Sequence, residues 1–248
     1  MRDMSKKILA WGVHLYTASG LVAAAMMVVL IVRGGDEAFR SAFALMLLAT
    51  FIDSTDGWMA RRVRVKEVVP GFDGRRLDDI VDFHTYTTIP LLLIWRAGIL
   101  EGGQEWWLLM PLLASAYGFS QVNAKTDDGF FLGFPSYWNI IAFYLYILRL
   151  PSWLSLLLII LPALLTFIPS RYLYPSQRGP LSLLTIILGG IWTVLLLLIL
   201  WRWPKNASSP LILSSLVFPI YYMVVSWALT LSRWRSVDQR AAPKRRRK

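Results

Sequence analysis

Apolar positions run along this chain in long unbroken stretches, with neither the alternation of a strand nor the one-sided stripe of a surface helix. The stretches lie at about 8–33, 38–60, 77–98, 105–122, 136–149, 151–169, 181–201 and 210–232. A helix needs roughly 17–25 apolar residues to cross a bilayer. The fifth stretch is short, and Pro151 alone interrupts the apolar run that it forms with the sixth. The pattern predicts an all-α polytopic membrane protein with about eight transmembrane helices. Residues 1–232 read as a single membrane domain and 233–248 as a basic tail. The first stretch follows the basic start MRDMSKK, as in a signal peptide, but its length predicts a retained helix.

Composition agrees with that class: 56% of the residues are hydrophobic and 17% charged, against about 25% charged in a soluble domain. The net charge of +11 raises nucleic acid as a partner, so the placement of the cations decides. With eight crossings, Arg33, Arg40, Arg96, Arg149, Arg202 and Lys205 fall on one side of the membrane, and the other 20 of the 26 Lys and Arg residues fall on the opposite side with both termini. That is the positive-inside pattern. It predicts cytoplasmic termini and no role for nucleic acid. The tail PKRRRK (243–248) is a topology determinant or a contact for anionic lipid headgroups. Trp106, Trp107, Trp153, Trp201 and Trp203, at stretch edges, read as interfacial belt residues. The absence of cysteine removes thiolate ligands and a thiol nucleophile, and two histidines, His14 and His84, cannot build a His-rich metal site.

Against this apolar and basic background, residues 51–83 carry six aspartates. In the second stretch Asp53, Asp56 and Ala60 share one helix face, which Gly57 and Arg61 continue at intervals of four. In the third, Gly74, Asp78 and Asp82 form a single stripe, while Asp73 and Asp79 fall off it. The short connection predicts that the two helices are antiparallel neighbours whose stripes face one pocket. Carboxylates gathered there repel one another and are costly to desolvate, so either several are protonated or cations sit between them. Oxygen-only ligands suit Mg²⁺, Mn²⁺ or Ca²⁺, and four carboxylates suit a pair of ions gripping a phosphoryl group. Gly57, Ala60 and Gly74 either leave room for a bulky ligand or serve helix packing. Arg61 could meet a phosphate.

Asp53, Asp56, Gly57, Ala60, Arg61, Gly74, Asp78 and Asp82, in the form D-x-x-D-G-x-x-A-R followed by G-x-x-x-D-x-x-x-D, resemble the signature of the CDP-alcohol phosphatidyltransferases. The twelve residues between Arg61 and Gly74 are longer than the interval usual in that family and are similar to its bacterial phosphatidylcholine-forming branch, as are HLYTASG (14–20), VKEVVPGF (65–72) and AKTDDGFFLGFPSYWN (124–139). The resemblance implies transfer of a phosphatidyl group from CDP-diacylglycerol to choline with release of CMP. It implies that Asp53, Asp56, Asp78 and Asp82 bind two divalent ions, Mn²⁺ or Mg²⁺, with Asp82 as the base for the acceptor hydroxyl. Gly57, Ala60, Arg61 and Gly74 would line the CDP-diacylglycerol site. Such a transfer needs no ATP, and no ATP-binding G-x-x-x-x-G-K-[ST] occurs. The resemblance places the site at the cytoplasmic side of a bacterial inner membrane. Homodimerisation, known among relatives, is left open.

Choline's quaternary ammonium calls for aromatic faces. Tyr86, four residues beyond Asp82, is the first candidate, and Tyr117, Tyr137, Trp138 and Asn139 border the same end. His84 falls off the stripe and reads as structural. A phosphorylated acceptor such as glycerol phosphate or inositol phosphate would want a second cationic cluster, which the inner stretches do not offer; serine, and a CDP-choline-using cholinephosphotransferase, share the signature. A cation transporter would spread acidic residues along several helices through the midplane, whereas these cluster at one end of two.

Overall fold

The computed structural model describes the backbone of residues 2–126, 128–174, 181–203 and 209–241, and side chains from residue 4 to 235 within those ranges. Asp127, Arg178, Lys205 and the run 243–248 lie outside the described residues. Helix occupies the centre of each apolar stretch. Four helical segments are long and apolar enough to cross a membrane: Met4–Arg33 in α1 (Arg2–Arg33), all of α2 (Asp36–Val63), all of α9 (Ser182–Arg202), and Ser209–Arg235, formed by α10 (Ser209–Ser215) with most of α11 (Val217–Ala241). The shortest has 21 residues, about 31 Å at 1.5 Å per residue, enough for a hydrocarbon core of about 30 Å. Leu15, Val22 and Val29 on α1 and Leu183, Ile187 and Val194 on α9 are exposed. Outward apolar faces of this kind are what lipid covers. The chain is a membrane protein.

Two helices follow α2 at once. The four-residue α3 (Val65–Val68) begins after Arg64, whose left-handed backbone (φ 56°) ends α2. Then α4 (Gly74–Asp82) begins, capped by Asp73, whose carboxylate accepts from the Arg75 and Arg76 backbone N–H groups. Capping explains why Asp73 falls off the acidic stripe. The helix continues through a π-helical segment, Phe83–Thr88, into α5 (Ile89–Arg96). Pro90 accounts for the widened turn: it has no N–H to give the carbonyl four residues back, and its ring would clash with that carbonyl in a regular helix.

A short 3₁₀ segment, Gln104–Leu108, leads into α6 (Leu109–Ser120). The next two helices, α7 (Trp138–Leu148) and α8 (Ser152–Leu165), have 11 and 14 residues, about 16 and 21 Å, short of a crossing by themselves. They meet at Arg149, which is left-handed (φ 47°), and Pro151, which starts α8. Beyond them two strands depart from the all-α expectation: β1 (Phe130–Leu132) pairs antiparallel with β2 (Arg171–Leu173). No local periodicity could announce a pair whose strands lie some forty residues apart. A polar stripe on α11 satisfies the outer edge of β2. Thr230 Oγ1 accepts from the Arg171 N–H at 2.7 Å, Ser226 Oγ accepts from the Leu173 N–H at 3.2 Å, and Tyr222 donates to the Leu173 carbonyl at 2.8 Å. Tyr172 and Leu173 are buried, and these hydroxyls satisfy backbone groups that water does not reach there.

Packing brings α1, α2 and α4 together. Ala10 and Val13 of α1 bury against Ala60, Val63 and Val65, and Gly20 lies so close to α4 that a Cβ there would stand 2.5 Å from Val81 Cγ1. Among the five tryptophans expected at the interfaces, Trp106, Trp107, Trp153 and Trp201 are exposed, but Trp203 is buried against Tyr146 at 5.3 Å.

Candidate active site

With α2 and α4 side by side, Asp53, Asp78 and Asp82 each present a carboxylate oxygen within 4.8 Å of the others. Asp56 stands apart from this trio. It is buried, and its Oδ2 accepts a 2.7 Å hydrogen bond from Thr17 Oγ1 of α1. Asp53 also takes a hydroxyl: Tyr86 donates to its Oδ2 at 2.7 Å. The α4 carboxylates differ. No hydrogen bond reaches Asp82 Oδ1 among the described residues, although that oxygen is shielded from solvent. An orphaned buried acceptor asks for an explanation, and three converging carboxylates with one oxygen unclaimed fit a hard divalent cation.

The small residues have close neighbours. A Cβ on Gly74 would lie 2.7 Å from His14 Cε1, and His14 itself packs on Phe72 at 4.4 Å and Trp11 at 5.6 Å. Ala60 lies in the apolar contact of α1 with α2. Arg61 is exposed, and a Cβ on Gly57 would stand 3.4 Å from its Nη1. The arginine therefore folds back along its own helix over Gly57.

Of the five residues offered for choline, the structure gathers three beside the acidic trio. The Tyr86 and Tyr137 rings are 6.4 Å apart, and Asn139 donates to Thr50 Oγ1 at 3.3 Å, one turn before Asp53 on α2. Trp138 is fully buried, its indole N–H on Ser115 Oγ at 2.7 Å. Tyr117 is exposed and packs on Phe167. The tyrosine cluster extends to Tyr222 of α11, 5.8 Å from Tyr137, a residue with no local signal because the C-terminal stretch reads as generic apolar helix.

Two further side chains escape sequence reasoning. Thr17 lies in HLYTASG, where the hydroxyl of a small residue in an apolar run reads as helix packing. Lys125 looks like one more surface cation, yet it pairs with Phe131 across an isolated β-bridge. Its ammonium lies over the rings of Phe131 at 6.0 Å and Tyr174 at 5.7 Å. Its surroundings oppose the charge, but the Tyr174 phenol and the carboxylates of Asp78, Asp82 and Asp53 outweigh them and raise its pKa above the ordinary lysine value. Lys125 therefore stands in the field of the acidic trio. At the rim, Asp128 accepts from Arg171 Nη1 at 2.6 Å and lies 3.3 Å from Arg233 Nη1, tying the 121–137 connection to β2 and α11. An open cleft of about 460 Å³ between α4 and α6 is lined by Arg76, Asp79, Phe83, His84 and Phe119, which places Asp79 and His84, both off the stripe, in that cleft.

No protein-family profile matches the chain. Several curated proteins do. A phosphatidylcholine synthase of Pseudomonas aeruginosa is 32% identical over 234 residues, covering 94% of both chains. One from Borreliella burgdorferi is 37% identical over 72% of this chain and 76% of its own. One from Legionella pneumophila is 40% identical over 70% of this chain and 68% of its own.

Proposed function

The chain belongs to the phosphatidylcholine synthase family, and from that premise we propose that its acidic centre transfers a phosphatidyl group from CDP-diacylglycerol to choline, with release of CMP. The observation that carries the reading is the meeting of Asp53, Asp78 and Asp82 around a buried, unpartnered carboxylate oxygen. We propose Asp53, Asp56, Asp78 and Asp82 as ligands for two divalent ions, Mn²⁺ or Mg²⁺. Divalent ions held there would polarise the pyrophosphate and stabilise the departing charge. Gly57, Ala60, Arg61 and Gly74 line the nucleotide end. Lys125 adds a fixed positive charge beside the transferring phosphate.

The chemistry is an exchange of phosphorus–oxygen bonds. Choline's hydroxyl oxygen bonds to the phosphatidyl phosphorus, the bond to CMP breaks, and the hydroxyl proton passes to Asp82. An unpartnered carboxylate oxygen suits that role, since no donor competes for it. The quaternary ammonium rests against the ring faces of Tyr86 and Tyr137. We further propose eight crossings with both termini in the cytoplasm, residues 1–232 as one membrane domain, a basic tail from 233, and a site at the cytoplasmic face of the inner membrane. The bias of Lys and Arg supports this orientation.

The test is purified protein in detergent with CDP-diacylglycerol and Mn²⁺ or Mg²⁺, offered labelled choline, serine, glycerol 3-phosphate and inositol in turn while CMP is measured. The expected result is metal-dependent phosphatidylcholine from choline alone, abolished by chelation. CMP with another alcohol would move the assignment to a sister branch; CMP with none would refute the transferase reading. Because the chain has no cysteine, single cysteines introduced into the 61–74 and 97–103 connections report sidedness directly; labelling of both from the same side would overturn the topology.

A further inference from the structure

The two carboxylates on α2 share a feature that the signature does not contain. Each accepts a 2.7 Å hydrogen bond from a hydroxyl carried by a different helix: Asp56 from Thr17 of α1, Asp53 from Tyr86 of the π-helical segment. Both donors are buried, so neither bond competes with bulk water, and a hydroxyl giving its proton to a carboxylate makes one of the shorter and stronger hydrogen bonds in proteins. Each carboxylate oxygen has two lone-pair sites, so one hydroxyl still leaves room for a cation. The ring of Tyr86 is edged by Tyr137 and its hydroxyl is committed to Asp53. Helix α2 makes no such provision itself, because its own Thr50 and Thr55 return their hydroxyls to backbone carbonyls of the preceding turn.

We infer that Thr17 and Tyr86 are positioning residues that lock Asp56 and Asp53 in ligating orientation, so that α1 and the π-turn are structural parts of the metal site. The inference rests on the metal-dependent reading above. Without the hydroxyls the α2 carboxylates can rotate, and the ordering cost falls on metal binding. The π-turn then has a purpose: widening the helix between Asp82 and Pro90 turns Tyr86 toward α2. Removing the partner of a ligating carboxylate typically costs 10–100-fold in metal affinity.

The experiment titrates Mn²⁺ into purified full-length protein in detergent and follows free Mn²⁺ by electron paramagnetic resonance, with no substrate present. CMP release is measured separately at saturating Mn²⁺. Tyr86→Phe keeps the ring and removes the hydroxyl; Thr17→Val keeps the shape and removes the hydroxyl; Thr17→Ser restores it. The expected result is Mn²⁺ affinity weakened about tenfold or more in Tyr86→Phe and in Thr17→Val, with recovery to within about twofold in Thr17→Ser. Wild-type Mn²⁺ affinity in both Tyr86→Phe and Thr17→Val would overturn the proposal while wild-type CMP release left the reaction standing. Absence of both Mn²⁺ binding and CMP release in the wild-type protein would overturn the reading, and the proposal with it.

Discussion

Two helices supply the same residue at nearly the same spacing to one site, yet their carboxylates live differently. On α2, Asp53 and Asp56 are each held by a hydroxyl from elsewhere in the fold. On α4, Asp82 keeps a shielded oxygen without a donor among the described residues. Chemically identical groups acquire different tasks from their surroundings: the held pair suits constant ligation, the free one a proton that arrives and leaves.

The sharpest way to break the comparison is to neutralise one member of each pair. In Asp82→Asn, CMP release should fall by about 10²–10⁴, the usual worth of a general base, and excess Mn²⁺ should not restore it. In Asp53→Asn, much of the loss should return as Mn²⁺ is raised. Equal recovery in both variants, read from CMP release against Mn²⁺ concentration, would abolish the division of labour.

A smaller effect is expected at the start of α4. Gly74→Ala places a methyl 2.7 Å from His14 Cε1 and should cost about 1–3 kcal/mol of stability, seen as a lower midpoint in thermal unfolding in detergent. Combining it with His14→Ala should return part of that loss; no return would mean that the glycine is required by something other than this contact. Below that comes Lys125→Met, expected to raise the KM for CDP-diacylglycerol about tenfold, the scale of one charge-assisted hydrogen bond, and to leave that for choline nearly unchanged. A selective rise for choline would move Lys125 to the wrong end of the reaction.

The smallest effect concerns the rim. A hydrogen bond from Arg171, aided by Thr126, pulls the Asp128 pKa down to about 2. Since its folded value lies below the unfolded one of about 3.9, Asp128 stabilises the fold above pH 4, and that contribution fades as pH drops from about 4 to 2. Asp128→Asn should therefore lower the unfolding midpoint slightly at pH 7 and by less near pH 2. An equal decrement at both would show that the charge is not what matters. The group is half exposed and the effect is accordingly small.

Much of the architecture was legible because membrane helices write themselves locally. Long apolar runs located the helices, and carboxylates three or four residues apart on adjacent helices marked the acidic site, since helical periodicity maps spacing onto a face. Legibility failed where a contact joined distant segments. Tyr86 continues the Asp82 stripe by spacing, but its bond to Asp53 is made from within a π-turn that the spacing does not show. Trp138 and Asn139 are neighbours in sequence and both buried, and only their partners separate them: Ser115 of α6 for the indole, Thr50 of α2 for the amide.

The sequence by itself determined that the chain is apolar enough for a membrane, roughly where its long helices lie, and which aspartates share a face, because each of these follows from composition or from a period of 3.6 residues. Only the tertiary structure decided that Asp53, Asp78 and Asp82 meet while Asp56 is held by Thr17, that β1 and β2 pair and rest on the hydroxyls of α11, and that Lys125 lies in the field of the acidic trio. Those are contacts between residues tens of positions apart, and their partners are chosen by packing, which no local period encodes.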